Sequence, residues 1–440
     1  MTTLEAAASR DIPLSPAELD LLMRLVAAAG DQSAFTGLVA ERMEAVGCAV
    51  EPLVYDPQAV PLIEEFASGV DTAAGEQTCL IGRIAPSTAA DGARSLLLFA
   101  HPDVEAFQAD HGWSHDPREP RVENGRLIGW GVADDIAGIM IMVASLARLH
   151  ARGWTPPAPV TLVSSPSKRH RRGIAAALAA GLSADAAIYL HPAESGAGLD
   201  EIKAFAPGQI EFAVEIAGRL PQTDEPSHAA FAHLAHHPLD AMRAVLDALA
   251  SLDRARGKSV QHPLLQAAVG RSTNLLVTRI EAGSTGASAR IPASCRIAAV
   301  LSLVPGETLA EAKAVVEDAV SGAWQGLRWP EATRPDVTWL SGVSAAETDV
   351  DGPLYQLVRA MLLEAGANPR VNPLHTSSDI RNPLVQRSIP TVGYGPRCGD
   401  LTMAKGVGEW VDLADLSRAI DVTASIIEAW CEAPSSTTQP

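Results

Sequence analysis

SLLLFA (95–100), DIAGIMIMVASLARLHARG (135–153) and VTLVSS (160–165) are the stretches that decide the fold. The first and third are apolar runs of strand length. The one between them is long enough, and apolar on enough sides, for a buried helix. AAIYLH (186–191) and PTVGYG (390–395) repeat the strand pattern further along. Strands that alternate with helices and are apolar on both faces belong in a parallel sheet covered from both sides. The expectation is an α/β fold with a mainly parallel sheet, its chemistry gathered at the carboxyl ends of the strands.

Upstream, SPAELDLLMRLVAAAG opens on Ser15 with Pro16 in the first turn and Glu18 three residues after Ser15, and SAFTGLVAERMEAVG ends on Gly47, so two helices are expected. Near residue 208 the texture changes. GQIEFAVEIAGR alternates as a half-exposed strand, HPLDAMRAVLDALASLDRARG is an amphipathic helix, NLLVTRIEAG and CRIAAVLSLV read as strands, and GETLAEAKAVVEDAVSGAW is a further helix. This predicts a small α+β lid over 208–324 inserted into a larger domain formed by 1–207 and 325–440. The closing SSTTQP reads as a loose tail.

At 440 residues the chain is too long for one ordinary core. With 47% hydrophobic and 20% charged residues, its composition is globular rather than disordered. No stretch approaches the ~20 consecutive apolar residues of a bilayer helix, and the first residues carry acids where a signal peptide has basic ones, so a cytoplasmic location is expected. A net charge of -18 argues against nucleic acid and anionic membranes as partners, so the basic stretch of the chain is a local feature. Cys48, Cys79, Cys295, Cys398 and Cys431 are odd in number and form no C-x-x-C pair, and are expected to be reduced thiols.

LLLFAHPDV (96–104) sets His101 and Asp103 two positions apart just after a strand. A zinc-bound histidine usually gives its second ring N–H to a carboxylate, and this spacing can supply one. GWSHDPREPRVENGRLIGWGVADDIAGIMIMVASLARL (112–149) then brings Trp113, Asp116-Pro117, Asn124-Gly125, Gly129-Trp130-Gly131 and the acidic pair Asp134-Asp135 ahead of a helix. Together these stretches resemble the metallohydrolase superfamily of aminoacylases, acetylornithine deacetylases, succinyl-diaminopimelate desuccinylases and carboxypeptidase-G-type peptidases. The pattern there is strand, H-x-D, W-x-x-D-P-F, D-G-x-L-y-G-R-G-x-x-D, helix. HTSSDIRNPLVQRSIPTVGYGP (375–396) is similar to the family's ggTDaR…giPtvgfGPG, and IEAGSTGASARIPASCRIAAVLSLVPGET to its lid segment.

The resemblance implies a zinc-exopeptidase-like catalytic domain holding two metal ions, with an inserted lid that mediates homodimerisation. Carried over by position, His101 ligates one metal, Asp134 bridges, and Asp103 orients His101. His191, in AAIYLHPAES, stands where the family has a ligating carboxylate, and histidine is a competent ligand there.

The departures fall on the other metal. Where the family has a glutamate base followed by a ligating glutamate, this chain reads SSPSKRHRRG (164–173), which puts Ser167 and Lys168, or Lys168 and Arg169, in their place. The last family ligand, a histidine, corresponds to Lys405 in MAKGVGEWV, with Glu409 and Trp410 in register. The lid histidine corresponds to Gln222, with His228 close by. A divalent ion and two ammonium groups within ~4 Å repel strongly, so Lys168 and Lys405 are expected to replace the second ion. One divalent ion then remains, held by His101, Asp134 and His191. Zinc is expected, with manganese or cobalt as alternatives; the same donor set also matches the two-histidine, one-carboxylate triad of non-haem iron.

The function expected is hydrolysis of an amide bond, N-acyl or peptide-like, in a small anionic substrate. Lys168, Lys405, His170 or Asp135 would move protons in place of the missing glutamate, and Arg169 and Arg290 would meet substrate carboxylates. His233, His236 and His237 read as a helix entry on the lid. Two other functions stand beside the hydrolase: a lyase, isomerase, deaminating or amide-forming enzyme on the same scaffold, and a catalytically silent binding protein.

Overall fold

The computed structural model describes residues 13–67, 73–86, 92–102, 113, 115–166, 171–193, 195–283, 289–327, 334–374, 378–399 and 408–433. The chain divides into two units, one of Met1–Pro61, Thr72–Ala206 and Glu347–Pro440, the other of Leu62–Asp71 and Pro207–Ala346.

In the first unit, helices α1 (Pro16–Ala27) and α2 (Gln32–Ala45) precede strands β1 (Ala49–Tyr55), β2 (Gln77–Ile84) and β3 (Leu96–Ala100). Ser15 and Glu18 form the expected reciprocal cap on α1, Ser15 N donating to Glu18 Oε2 at 2.8 Å and Glu18 N to Ser15 Oγ at 3.3 Å. Helix α3 (Ala137–Ala151), strand β4 (Val160–Ser164), helix α4 (Gly173–Ala179) and strand β5 (Ala186–Leu190) follow. After the second unit come α5 (Pro353–Glu364), α6 (Arg381–Arg387), β6 (Thr391–Tyr394) and α7 (Leu413–Glu432).

The sheet runs β1-β2-β4-β3-β5-β6. β4, β3, β5 and β6 are parallel, and β1 and β2 extend one edge antiparallel. Every residue of the four parallel strands is buried, which is why they read as unbroken apolar runs. Alternate residues of β3 serve opposite faces. Leu96 and Leu98 join the core built with Ile139 of α3 and Ile420 of α7, whereas Leu97 and Phe99 join Ile174 and Leu178 of α4. From β3 the chain moves to β4 on one side and later returns to β5 on the other. The carboxyl ends of β3 and β5 therefore flank a topological switch point, where open α/β sheets bind their ligands.

The second unit is a five-stranded antiparallel sheet in the order Leu275–Ala282, Ser294–Leu303, Gly208–Ala217, Asp336–Val343, Glu65–Ala67, packed on the helices Pro238–Ser259 and Leu309–Gln325. Its limits correct the expected 208–324. Asp336–Val343 does not return to the first domain but pairs along Gly208–Ala217, and Glu65–Ala67 adds the outermost strand. Backbone pairing in the sheet, which composition does not reveal, sets this boundary. Among the described residues no helix is long and apolar enough to cross a membrane. All five cysteines are buried and none forms a disulfide.

Candidate metal centre

His101 is the residue after β3 and His191 the residue after β5, so two adjacent parallel strands deliver their histidines to one place. Asp134 arrives from the short kinked segment Val132–Ile136, in which Asp134 and Asp135 leave helical backbone geometry, between Gly131 in the left-handed region (φ 72°) and the start of α3. Asp135 secures that junction, its Oδ1 accepting from Gly138 N at 3.0 Å and its Oδ2 from His101 N at 3.5 Å. Gly138 is obligatory here, because a Cβ would run into the Leu190 carbonyl and the Asp135 carboxylate. Of the groups expected to move protons, Asp135 thus carries a backbone-fixing role.

The three side chains converge. His191 Nε2 lies 3.1 Å and His101 Nε2 3.9 Å from Asp134 Oδ1, and one ligand atom from each residue falls within 4.8 Å of the others. Both histidines are fully buried, while the Asp134 side chain keeps 30% exposure. Two imidazoles and a carboxylate converging from separate elements, with one side open to solvent, fit a divalent ion such as zinc.

The surroundings fix this trio from behind. Lys203 is pinned to β6 by its backbone, Lys203 N donating to Gly393 O at 2.6 Å and Gly393 N to Lys203 O at 2.8 Å. Its buried Nζ stands 2.7 Å from His191 Nδ1 and donates to Pro192 O at 2.7 Å; Pro192 O is also 2.8 Å from His191 Nδ1. Tyr189, on β5 and two residues before His191, sets its hydroxyl 2.8 Å from His101 Nε2 and stacks its ring on Phe99 at 5.1 Å. Glu409 holds the turn that carries Asp134, its Oε1 accepting from Ala133 N at 2.6 Å and Asp134 N at 3.2 Å, and its Oε2 from Gly131 N at 2.9 Å. The strand Trp410–Asp412 pairs with Arg126–Ile128 and so brings Glu409 under the turn. Burial pushes the Glu409 carboxyl up to about 7; the Ala133 and Gly131 amides pull it down, and the Asp134 charge raises it.

Of the residues singled out from sequence, His101, Asp134 and His191 are brought together. Asp103, Lys168, Arg169 and Lys405, with His170, lie outside the described residues. Gln222, His228 and Arg290 belong to the second unit. There His228 and Arg290 pair as an antiparallel bridge, His228 Nδ1 accepts from Ala230 N at 3.1 Å, and Arg290 Nη1 donates to Ser227 Oγ at 2.9 Å. Gln222 is exposed. His237 sits at the N-cap of Pro238–Ser259, at a helix entry. Sequence reasoning missed Lys203 and Tyr189. Tyr189 could have been found from the strand period that pairs it with His191, whereas Lys203 reaches the site only through its bridge to Gly393.

The chain is similar to several known proteins. The chain is 26% identical over 254 residues to succinyl-diaminopimelate desuccinylase of Halorhodospira halophila (strain DSM 244 / SL1), a match covering 56% of this chain and 63% of that protein. It is 25% identical over 371 residues to N-formyl-4-amino-5-aminomethyl-2-methylpyrimidine deformylase of Bacillus subtilis (strain 168), covering 80% of this chain and 83% of that one. Its fold is similar to that of a tripeptidase from Staphylococcus aureus subsp. aureus Mu50, with a TM-score of 0.67 at 16% identity over 94% of this chain and 98% of the other. The sequence profile of peptidase family M20/M25/M40 matches residues 97–429, from β3 into α7 and across both units, and the chain belongs to that family.

Proposed function

We propose that this M20-family hydrolase cleaves an amide bond, N-acyl or peptide-like, in a small anionic substrate, using a single divalent ion held by His101, Asp134 and His191. The observation that carries it is the convergence of those three donors at the switch point of the sheet. An ion bound there supplies Lewis-acid polarisation of the scissile carbonyl and a water acidic enough to attack at neutral pH. The chain's own residues do the rest. Asp134 is held by Glu409 through three backbone N–H groups, and His191 is oriented by Pro192 O and Lys203. Zinc suits this donor set; manganese and cobalt are the alternatives.

Lys168 and Lys405 carry positive charge in place of a second ion, and one of them moves the proton that a glutamate base would otherwise take. Asp103 orients His101. Arg169, Arg290, His228 and Gln222 meet the substrate. Support for an N-acyl substrate comes from the names of the two relatives, a desuccinylase and a deformylase. The sequence's net charge of -18 makes a local basic cluster the natural receptor for an anion.

The protein works as a cytoplasmic homodimer joined through the second unit. Support for the dimer is the strand Leu275–Ala282, an edge of its sheet with Leu276 59% and Ile280 58% exposed. The test of function is product analysis with N-succinyl, N-formyl and N-carbamoyl amino acids and short peptides, comparing zinc-loaded with chelated protein. Zinc-dependent release of an amine and a carboxylate supports hydrolysis. Turnover unaffected by chelation, or binding of these compounds with no product, counts against it. Light scattering of the intact chain gives the oligomeric state, and a monomer would refute the dimer.

A further inference from the structure

We infer that Tyr189 is a fourth protein donor to the metal centre, its phenolic oxygen completing the set begun by His101, Asp134 and His191. The inference rests on the single-ion site proposed above and adds a ligand to it.

Three observations carry it. The first is placement. Tyr189 is the penultimate residue of β5 and His191 follows the strand directly, two residues on, where an extended chain sends both side chains to the same side. The second is distance. Tyr189 Oη is 2.8 Å from His101 Nε2, the same nitrogen that stands 3.9 Å from Asp134 Oδ1. Donors bound to one ion at ~2.1 Å are separated from one another by roughly 3 Å, the spacing seen both here and between His191 Nε2 and Asp134 Oδ1 at 3.1 Å. The third is rigidity. The Tyr189 ring is fully buried and stacked on Phe99 with an interplanar angle of 17°, so the hydroxyl is aimed by its packing.

The chemistry at His101 completes the inference. A histidine nitrogen that gives its lone pair to an ion no longer accepts a hydrogen bond, so an ion on Nε2 ends the Tyr189–His101 bond. The tyrosine oxygen, held where it is by the ring, would then meet the ion as a phenolate, its proton passing to solvent. Zinc would then be held by His101, Asp134, His191 and Tyr189 and would supply Lewis-acid chemistry to a water or substrate that reaches it. The strand supplies this donor from two residues before His191.

The experiment uses the full chain, first stripped of metal and then titrated with zinc against a chromophoric chelator, alongside Tyr189→Phe and His101→Ala. Loss of zinc binding in His101→Ala establishes the site itself. Tyr189→Phe is then expected to bind zinc about tenfold more weakly. Its cobalt-loaded form is expected to show a visible spectrum altered in band position and intensity, because one oxygen donor has left the ion. An unchanged affinity with an unchanged cobalt spectrum overturns the inference, and so does tighter zinc binding, which would make the hydroxyl a plug. No zinc binding by the wild-type protein refutes the single-ion site and this inference together, whereas the Tyr189→Phe outcomes refute the tyrosine alone. Should Tyr189→Phe fail to fold, a crystal structure of the zinc-loaded wild type decides: Oη within about 2.3 Å of the ion supports the inference, and Oη still bonded to His101 overturns it.

Discussion

Lys203 Nζ lies 2.7 Å from Nδ1 of His191, and both atoms share the Pro192 carbonyl. A lysine 1% exposed and twelve residues from its partner is an uncommon support for a metal-ligating histidine, whose outer nitrogen more often meets a carboxylate or a backbone carbonyl. Here the carbonyl is present and the lysine fixes it. Lys203→Met should weaken zinc binding about tenfold by freeing the Pro192 carbonyl and the imidazole together, and Lys203→Gln, which keeps a donor for that carbonyl, should recover part of the loss. Chelator competition on the two variants checks this. Zinc bound more tightly by Lys203→Met would show that the ammonium acts chiefly by repelling the ion.

Glu409 predicts a pH dependence of the metal-free protein. Its carboxyl is raised from an ordinary 4.5 to about 7, first by burial and against the pull of the Ala133 and Gly131 amides. Folding therefore favours the protonated form. The associated stability is fully present below about pH 4.5 and is lost as the pH rises through about 7, a change of roughly 3 kcal/mol. Urea unfolding of chelated protein across this window should show the decline, and Glu409→Gln should remove that share of it. Equal pH slopes in the two proteins would contradict the assignment.

At Gly138 the first turn of α3 meets the end of β5, with no room for a side chain beside the Leu190 carbonyl and the Asp135 carboxylate. Gly138→Ala should cost about 3 kcal/mol in denaturant unfolding. It should also weaken zinc binding, since His191 follows Leu190 directly. Wild-type stability in this variant would mean that the helix shifts freely at this junction.

Lys168→Glu tests the surrogate-cation proposal from the opposite direction. If positive charge stands in for a second ion, this substitution should lower amide hydrolysis at least about tenfold, a change above 1.4 kcal/mol in the barrier. Steady-state rates with zinc-loaded protein measure it. Higher activity in Lys168→Glu would mean that a carboxylate at this position still serves as the base.

The parallel strands were legible in the sequence as local signals, and the three converging donors through the family resemblance of the motifs that carry them. β3, β4, β5 and β6 are buried on both faces and so read as apolar runs, and His101, Asp134 and His191 sit beside strand and helix boundaries. β1 and β2 were not legible, since Pro52 and Gly82 interrupt their patterns and they form the antiparallel edge. The supports of the site were hidden for a different reason. Tyr189 looks like one more apolar residue of a core strand, Lys203 like a surface lysine, and Glu409 bonds amides more than 270 positions away. Their roles come from contacts that only the folded chain creates. The lid boundary belongs to the same class, because Asp336–Val343 is assigned by its pairing with Gly208–Ala217.

Anomalous diffraction at the zinc edge, from crystals grown without chelator, tests the central claim most directly. The account predicts one peak per chain, bounded by His101 Nε2, Asp134 Oδ1 and His191 Nε2. Two peaks sharing Asp134, or no peak among these three residues, would contradict it.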